Sequence, residues 1–178
     1  GLSEHNLLPK IKTGDKAQNV PRQPGIPYRA ALDNLRSAFN VGSIFRVVDA
    51  VAFESVIIGG TTPGKDHHQV QKASMGACDW VPQEIAEDLP AAIRNHRTEE
   101  LPVIGIETVE QSENYLRFSW PEKGIIVMGN EEYGLSRSVL QECTDFVHIP
   151  MFGRKNSINV ANAFSVIAFH IVSTLKGL

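Results

Sequence analysis

Five short stretches of this chain are apolar at nearly every position: Ala30–Leu32, Ser55–Ile58, Val103–Ile106, Ile125–Met128 and Phe146–Ile149. Strands with one face in water alternate apolar and polar residues, so near-continuous apolar runs of this length read as strands buried on both faces. Helical patterns lie between them, at Ser43–Val51, around Gln69–Met75, at Leu89–His96 and at Ser136–Gln141. The last helix has the clearest pattern, because Val160, Ala163, Phe164, Ile167, Ala168 and Ile171 repeat at helical spacing and make one apolar stripe. Strands of this kind interleaved with helices imply an α/β fold, a parallel sheet flanked by helices on both faces. Ligands of such sheets sit beyond the carboxyl ends of the strands, so the loops that follow strands are where chemistry is to be sought.

Composition narrows the class without deciding it. At 178 residues the chain suits one domain, and no apolar run approaches the roughly 18 residues needed to cross a bilayer. Its N-terminus carries no apolar signal core, and Cys78 and Cys143 stand in unrelated contexts. The expected setting is reducing and cytoplasmic. The net charge of −3 is unevenly spread. Residues 1–50 hold seven Lys/Arg against four Asp/Glu, residues 84–145 hold five against thirteen, and residues 146–178 are again basic. Residues 1–26, with Lys10, Lys12, Lys16 and Arg22 among prolines and glycines, read as a basic arm ahead of a domain at 27–178. No histidine group has metal-ligand spacing apart from the adjacent pair His67 and His68.

Three loops are chemically unusual. The first runs from Asp33 to Arg46, with Gly42 allowing a close backbone approach and Asn40 or Ser43 able to cap the helix that follows. That reading places Arg46 in the first helical turn, where a cation opposes the helix dipole and calls for an anion, either a phosphate or a carboxylate such as Asp49. The second runs from Gly124 to Ser136, an apolar strand ending at Gly129, then Glu131, a second glycine and a serine cap. The third runs from Ile149 to Val160 and holds Arg154, Lys155, Ser157 and Asn159 before the most apolar helix, which Ser157 or Asn159 caps.

Taken together these loops resemble the three motifs of the SpoU/TrmH family of RNA 2′-O-ribose methyltransferases. They match as Asn-x-Gly-x-x-x-Arg (Asn40, Gly42, Arg46), Gly-Asn-Glu-x-x-Gly-Leu-Ser (Gly129 to Ser136) and Ile-Pro-Met-x-Gly-x-x-x-Ser-x-Asn-Val (Ile149 to Val160). The resemblance spans Tyr28 to the C-terminus and departs at Asn162, where small apolar residues are usual. It implies a C-terminal deep trefoil knot, homodimers, no metal, and S-adenosyl-L-methionine held near Ile106, Glu107, Gly129, Ile149, Met151 and Ile158. It further implies that Asn40 and Arg46 meet the target ribose, with Glu131 supporting the site and Ser157 and Asn159 organising the last loop.

The implied substrate is tRNA or rRNA. Methyl transfer to a hydroxyl is an in-line displacement that needs the hydroxyl oriented and its proton removed. Arg46 is either the proton acceptor or, because a guanidinium holds its proton beyond pH 12 or so, a clamp on phosphate and developing alkoxide. A nucleotide-binding oxidoreductase or an ordinary Rossmann-type methyltransferase would show Gly-x-Gly-x-x-Gly after the first strand, where this chain has Asp33-Asn34-Leu35. The remaining alternative is a catalytically silent RNA-binding scaffold that kept the fold.

Overall fold

The computed structural model describes residues 8–10, 21–97 and 100–178. Along the chain run β1 (Ile26–Asp33), α1 (Ala38–Val51), β2 (Phe53–Gly59), α2 (His68–Ser74), β3 (Gln83–Ala86), α3 (Leu89–His96), β4 (Val103–Ile106), β5 (Glu113–Asn114), β6 (Gly124–Gly129), α4 (Arg137–Leu140), β7 (Asp145–His148) and α5 (Val160–Lys176). The strands form one sheet in the order β3-β2-β1-β6-β4-β7-β5, and every pairing is parallel. All five apolar runs are strands of it. β3 and β5 were not legible, because edge strands have little to bury and these two are short and polar.

Alternate residues of the strands feed two cores. On one face Tyr28, Ala30, Leu32, Ile104, Ile126 and Met128 pack with Phe45 and Val48 of α1 and Phe164, Ile167 and Ile171 of α5. On the other, Ala31, Ile57, Ile125 and Val127 pack with Leu89 and Ile93 of α3 and Val139 of α4. Helices thus cover both faces, which is why the strands lack polar alternation. No helix among the described residues is long and apolar enough to cross a membrane.

The connections set up the site. β6 lies between β1 and β4, and β7 between β4 and β5, so the C-terminal strands are inserted among strands that precede them in sequence. The registers pair Asp33 with Gly129 and Ile106 with Val147. The carboxyl ends of β1, β6, β4 and β7 therefore lie side by side along one edge of the sheet.

Two local expectations change. α1 starts at Ala38, with Ser37 as its cap: the Ser37 hydroxyl accepts from the Asn40 N–H at 3.1 Å. Neither Asn40 nor Ser43 is the cap, and Arg46 lies in the third turn, so the dipole argument for an anion at Arg46 fails. Arg22 is committed to the domain. Its guanidinium donates to the carbonyls of Phe53, Glu54 and Val48, placing a cation at the end of α1, whose last turn has none of its own. Lys12 and Lys16 lie outside the described residues, and Lys10 is exposed.

Candidate active site

The first and second motif loops are joined by a carboxylate. Glu131 accepts from the Arg36 N–H at 3.0 Å and from the Ser37 N–H at 3.4 Å. Helix α1 has no acidic residue in its first turn, so the charge that its dipole favours arrives from the β6–α4 loop instead. Below this clamp, Asp33 is 2% exposed and accepts from the Ser136 N–H at 2.6 Å and from Asn34 Nδ2 at 2.9 Å. Ser136 stands at the cap position of α4 without a side-chain cap bond, its backbone N–H being taken by Asp33. Asn130 donates to the Asn34 carbonyl at 2.6 Å and accepts from the Glu132 and Tyr133 N–H groups. Asn34 holds a left-handed backbone at φ 54°, a conformation asparagine tolerates better than most residues.

Sequence reading missed the parts played by Asp33, Asn34 and Asn130. The available signal was an Asp-Asn pair ending one buried strand and an asparagine just past another, residue types whose side chains bond nearby backbone.

Gly129 faces its own loop. A Cβ there would stand 2.4 Å from the Gly134 carbonyl carbon and 2.5 Å from the Leu135 nitrogen. The loop is closed by paired bonds between Asn130 and Gly134 at 3.0 and 2.9 Å. Glu107, beyond β4, accepts from the Leu135 N–H at 3.0 Å and so props the same turn. Gly42 meets α2, where a Cβ would lie 2.5 Å from the Val70 carbonyl oxygen.

The first and third loops meet through two asparagines. Asn159 is the cap of α5, its Oδ1 accepting from the Ala161 and Asn162 N–H groups at 2.9 and 3.2 Å. Its Nδ2 donates to Asn40 Oδ1 at 3.1 Å, and Asn40 is only 6% exposed. α1 and α5 thus begin beside each other. Asn162, the departure from the usual pattern, is exposed and donates its backbone N–H to that cap. Ser157 is exposed in the loop, so of the two candidate caps Asn159 serves.

Arg46 is exposed, and among the described residues it makes no hydrogen bond or ion pair. Its expected neighbour Asp49 instead accepts from Trp80 Nε1 at 2.7 Å. Arg46 is thus an exposed cation on α1, the helix whose start is bonded to Asn159, and among the described residues no carboxylate neutralises it.

The strand-end register gathers Ile106, Gly129 and Ile149 at neighbouring positions, with Met151 and Ile158 on the loop leaving that edge. From Met151 to Ile158 no backbone N–H or C=O bonds another described residue. Such a segment suits a ligand carrying both hydrogen-bond donors and acceptors. Nearby, burial pushes the Cys143 thiol up to about 12, helped by Asp33, Glu142 and Asp145, so it carries no thiolate at neutral pH. Among the described residues no three His, Cys, Asp or Glu side chains are grouped as metal ligands.

Comparison with known proteins places this architecture. The chain is 32% identical over 140 residues to a protein of Staphylococcus saprophyticus assigned to the TrmH family of tRNA/rRNA methyltransferases, matching 79% of this chain and 56% of that one. A Staphylococcus haemolyticus protein of the same assignment is 30% identical over 154 residues, 61% of its length. The chain therefore spans somewhat more than half the length of these relatives. Among solved structures, the AdoMet-bound rRNA methyltransferase of Sinorhizobium meliloti superposes with a TM-score of 0.77 at 27% identity, covering 88% of this chain and 59% of that one. The SpoU methyltransferase AviRb of Streptomyces viridochromogenes gives 0.74 at 25% identity, covering 88% and 62%. The pattern of the SpoU rRNA methylase family matches residues 27–169, from the second residue of β1 into α5, and the chain belongs to that family.

Proposed function

We propose that this protein is an S-adenosyl-L-methionine-dependent RNA methyltransferase that modifies a ribose 2′-hydroxyl of tRNA or rRNA. The observation that carries the reading is the Asn40–Asn159 bond, which fixes against the third loop the helix that carries Arg46, exposed and without a partner among the described residues. The relatives' assignment to tRNA/rRNA methylation and the AdoMet-bound neighbour support it.

When bound, the cofactor supplies a methyl group already activated on a sulfonium. The chain's own residues do the rest. Ile106, Gly129, Ile149, Met151 and Ile158 would hold it, chiefly through backbone groups of the third loop. Arg46 receives the substrate's phosphate or the oxygen that gains charge as its proton leaves. Asn40 and Asn159 keep the starts of α1 and α5 in register, and Glu131 fixes the second loop against the first. Ser157, exposed on the third loop, would offer that loop's site a hydroxyl donor and acceptor.

Titration calorimetry with S-adenosyl-L-methionine, in buffer containing a chelator, is expected to show binding. Labelled methyl groups are expected to pass from the cofactor to bulk RNA and to resist alkali at the modified ribose. Absence of binding heat at saturating concentrations rejects the reading. Binding without transfer favours the silent scaffold.

Two finer features belong to the proposal. Insertion of β6 and β7 among earlier strands, with α5 returning against α1, supports a C-terminal deep trefoil knot. Phe169 of α5 is 53% exposed beside half-buried Val172, which supports a homodimer seated on that helix. Light scattering at micromolar protein is expected to give twice the 19.6 kDa chain mass. A monomer mass removes the dimer from the proposal.

A further inference from the structure

Tyr133 and Phe39 are 79% and 59% exposed, although each sits on backbone that is tightly held. Tyr133 tops the second motif loop, where its N–H donates to Asn130 Oδ1 at 2.9 Å and Gly134 closes the turn at φ +70°. Phe39 is the second residue of α1. The Glu131 clamp on Arg36 and Ser37 joins the two segments that carry these rings, Tyr133 two residues after Glu131 and Phe39 two after Ser37. Neither ring pairs with another aromatic among the described residues. Arg36, with a side chain 74% exposed, lies on the segment that carries Phe39, its guanidinium 3.6 Å from Glu132.

We propose that Tyr133, assisted by Phe39, is a stacking platform for an unpaired base of the RNA substrate and makes the site prefer single-stranded RNA over a helix. This rests on the methyltransferase reading above. An exposed ring on a fixed backbone loses little conformational freedom when it binds, and every base offers it a flat face. In a duplex those faces are stacked on one another and the deep groove is too narrow for side chains. Arg36 adds a planar cation that can stack on a base. The surroundings, Arg36, Glu131 and Glu132, are exposed and charged, unlike the apolar centre of a subunit interface, and the two carboxylates leave base stacking on the ring, not phosphate attraction, as the contact this spot offers.

The test uses fluorescence anisotropy with a short labelled oligoribonucleotide of mixed sequence, single-stranded and as its duplex. The parent, Tyr133→Phe and Tyr133→Ala are compared. Tyr133→Ala is expected to bind the single strand about tenfold more weakly, with duplex affinity and S-adenosyl-L-methionine affinity equal to the parent's. Tyr133→Phe is expected to match the parent, since the ring is retained. Equal losses for strand and duplex, or a loss reproduced by Tyr133→Phe, overturns the platform. So does a lower molecular mass of Tyr133→Ala in light scattering, which assigns the ring to a subunit contact. A parent that binds neither probe and transfers no methyl group overturns the methyltransferase reading itself, and the platform with it.

Discussion

Arg46→Ala is expected to lower methyl transfer by at least about a hundredfold, the scale of losing a group that stabilises developing charge. Cofactor affinity is expected to stay near the parent's, because Arg46 lies on α1 and the proposed cofactor residues lie at the ends of β4, β6 and β7 and on the third loop. Stability is expected to change little, since the side chain is exposed and unpaired among the described residues. Arg46→Lys then separates the two roles. A clamp that needs the planar two-pronged fork is weakened by a point charge at every pH, with no new titration below about pH 10. A proton acceptor gains activity as the introduced lysine deprotonates. Rate against pH for the parent and Arg46→Lys decides between them, and full activity in Arg46→Ala removes Arg46 from the site.

The second large effect is expected at Gly129. A methyl group added there meets the Gly134 carbonyl carbon at 2.4 Å and the Leu135 nitrogen at 2.5 Å, and backbone atoms cannot swing aside as a side-chain end can. The Asn130–Gly134 pairing must open, and Glu131 and Glu107 lose the positions from which they hold the first loop and the Leu135 N–H. Overpacking of this kind costs about 1–3 kcal/mol, or roughly 2–10 °C of melting temperature in a domain of this size. Gly129→Ala is therefore expected to melt earlier and to bind S-adenosyl-L-methionine weakly. Gly153→Ala is the control: nothing lies within 4 Å of its added methyl, and it is expected to leave stability within about 0.5 kcal/mol of the parent. Scanning calorimetry and cofactor titration check both, and a Gly129→Ala protein with parental values shows that the loop is not fixed as described.

Some of this was legible because it is written in local pattern. Buried parallel strands must be apolar on both faces, so Ile125–Met128 and Val103–Ile106 stood out without any partner being known. A helix packed on one side repeats its apolar residues at helical spacing, and α5 did so over most of its length. The three motif loops were visible as glycine and polar residues at strand ends, where a structural turn has little need of them.

The rest depended on which segments meet. Arg46 read as a first-turn cation because the start of α1 was placed at Ser43, six residues past the Ser37 cap. Nothing local says that the acid completing that helix start is Glu131, some ninety residues on, because Coulomb and hydrogen-bond partners are chosen by distance in space. Asp49, only three residues from Arg46, went to Trp80, and Arg22 went to the end of α1. The apolar runs determined by themselves that a parallel α/β sheet forms and which of its loops carry polar chemistry. Only the tertiary structure decided the strand order that sets Asp33, Gly129, Ile106 and His148 along one edge, and the Asn40–Asn159 bond across 119 residues of sequence. Burial is a property of each residue and leaves its period in the sequence, whereas a hydrogen bond between distant loops is a property of a pair and leaves none.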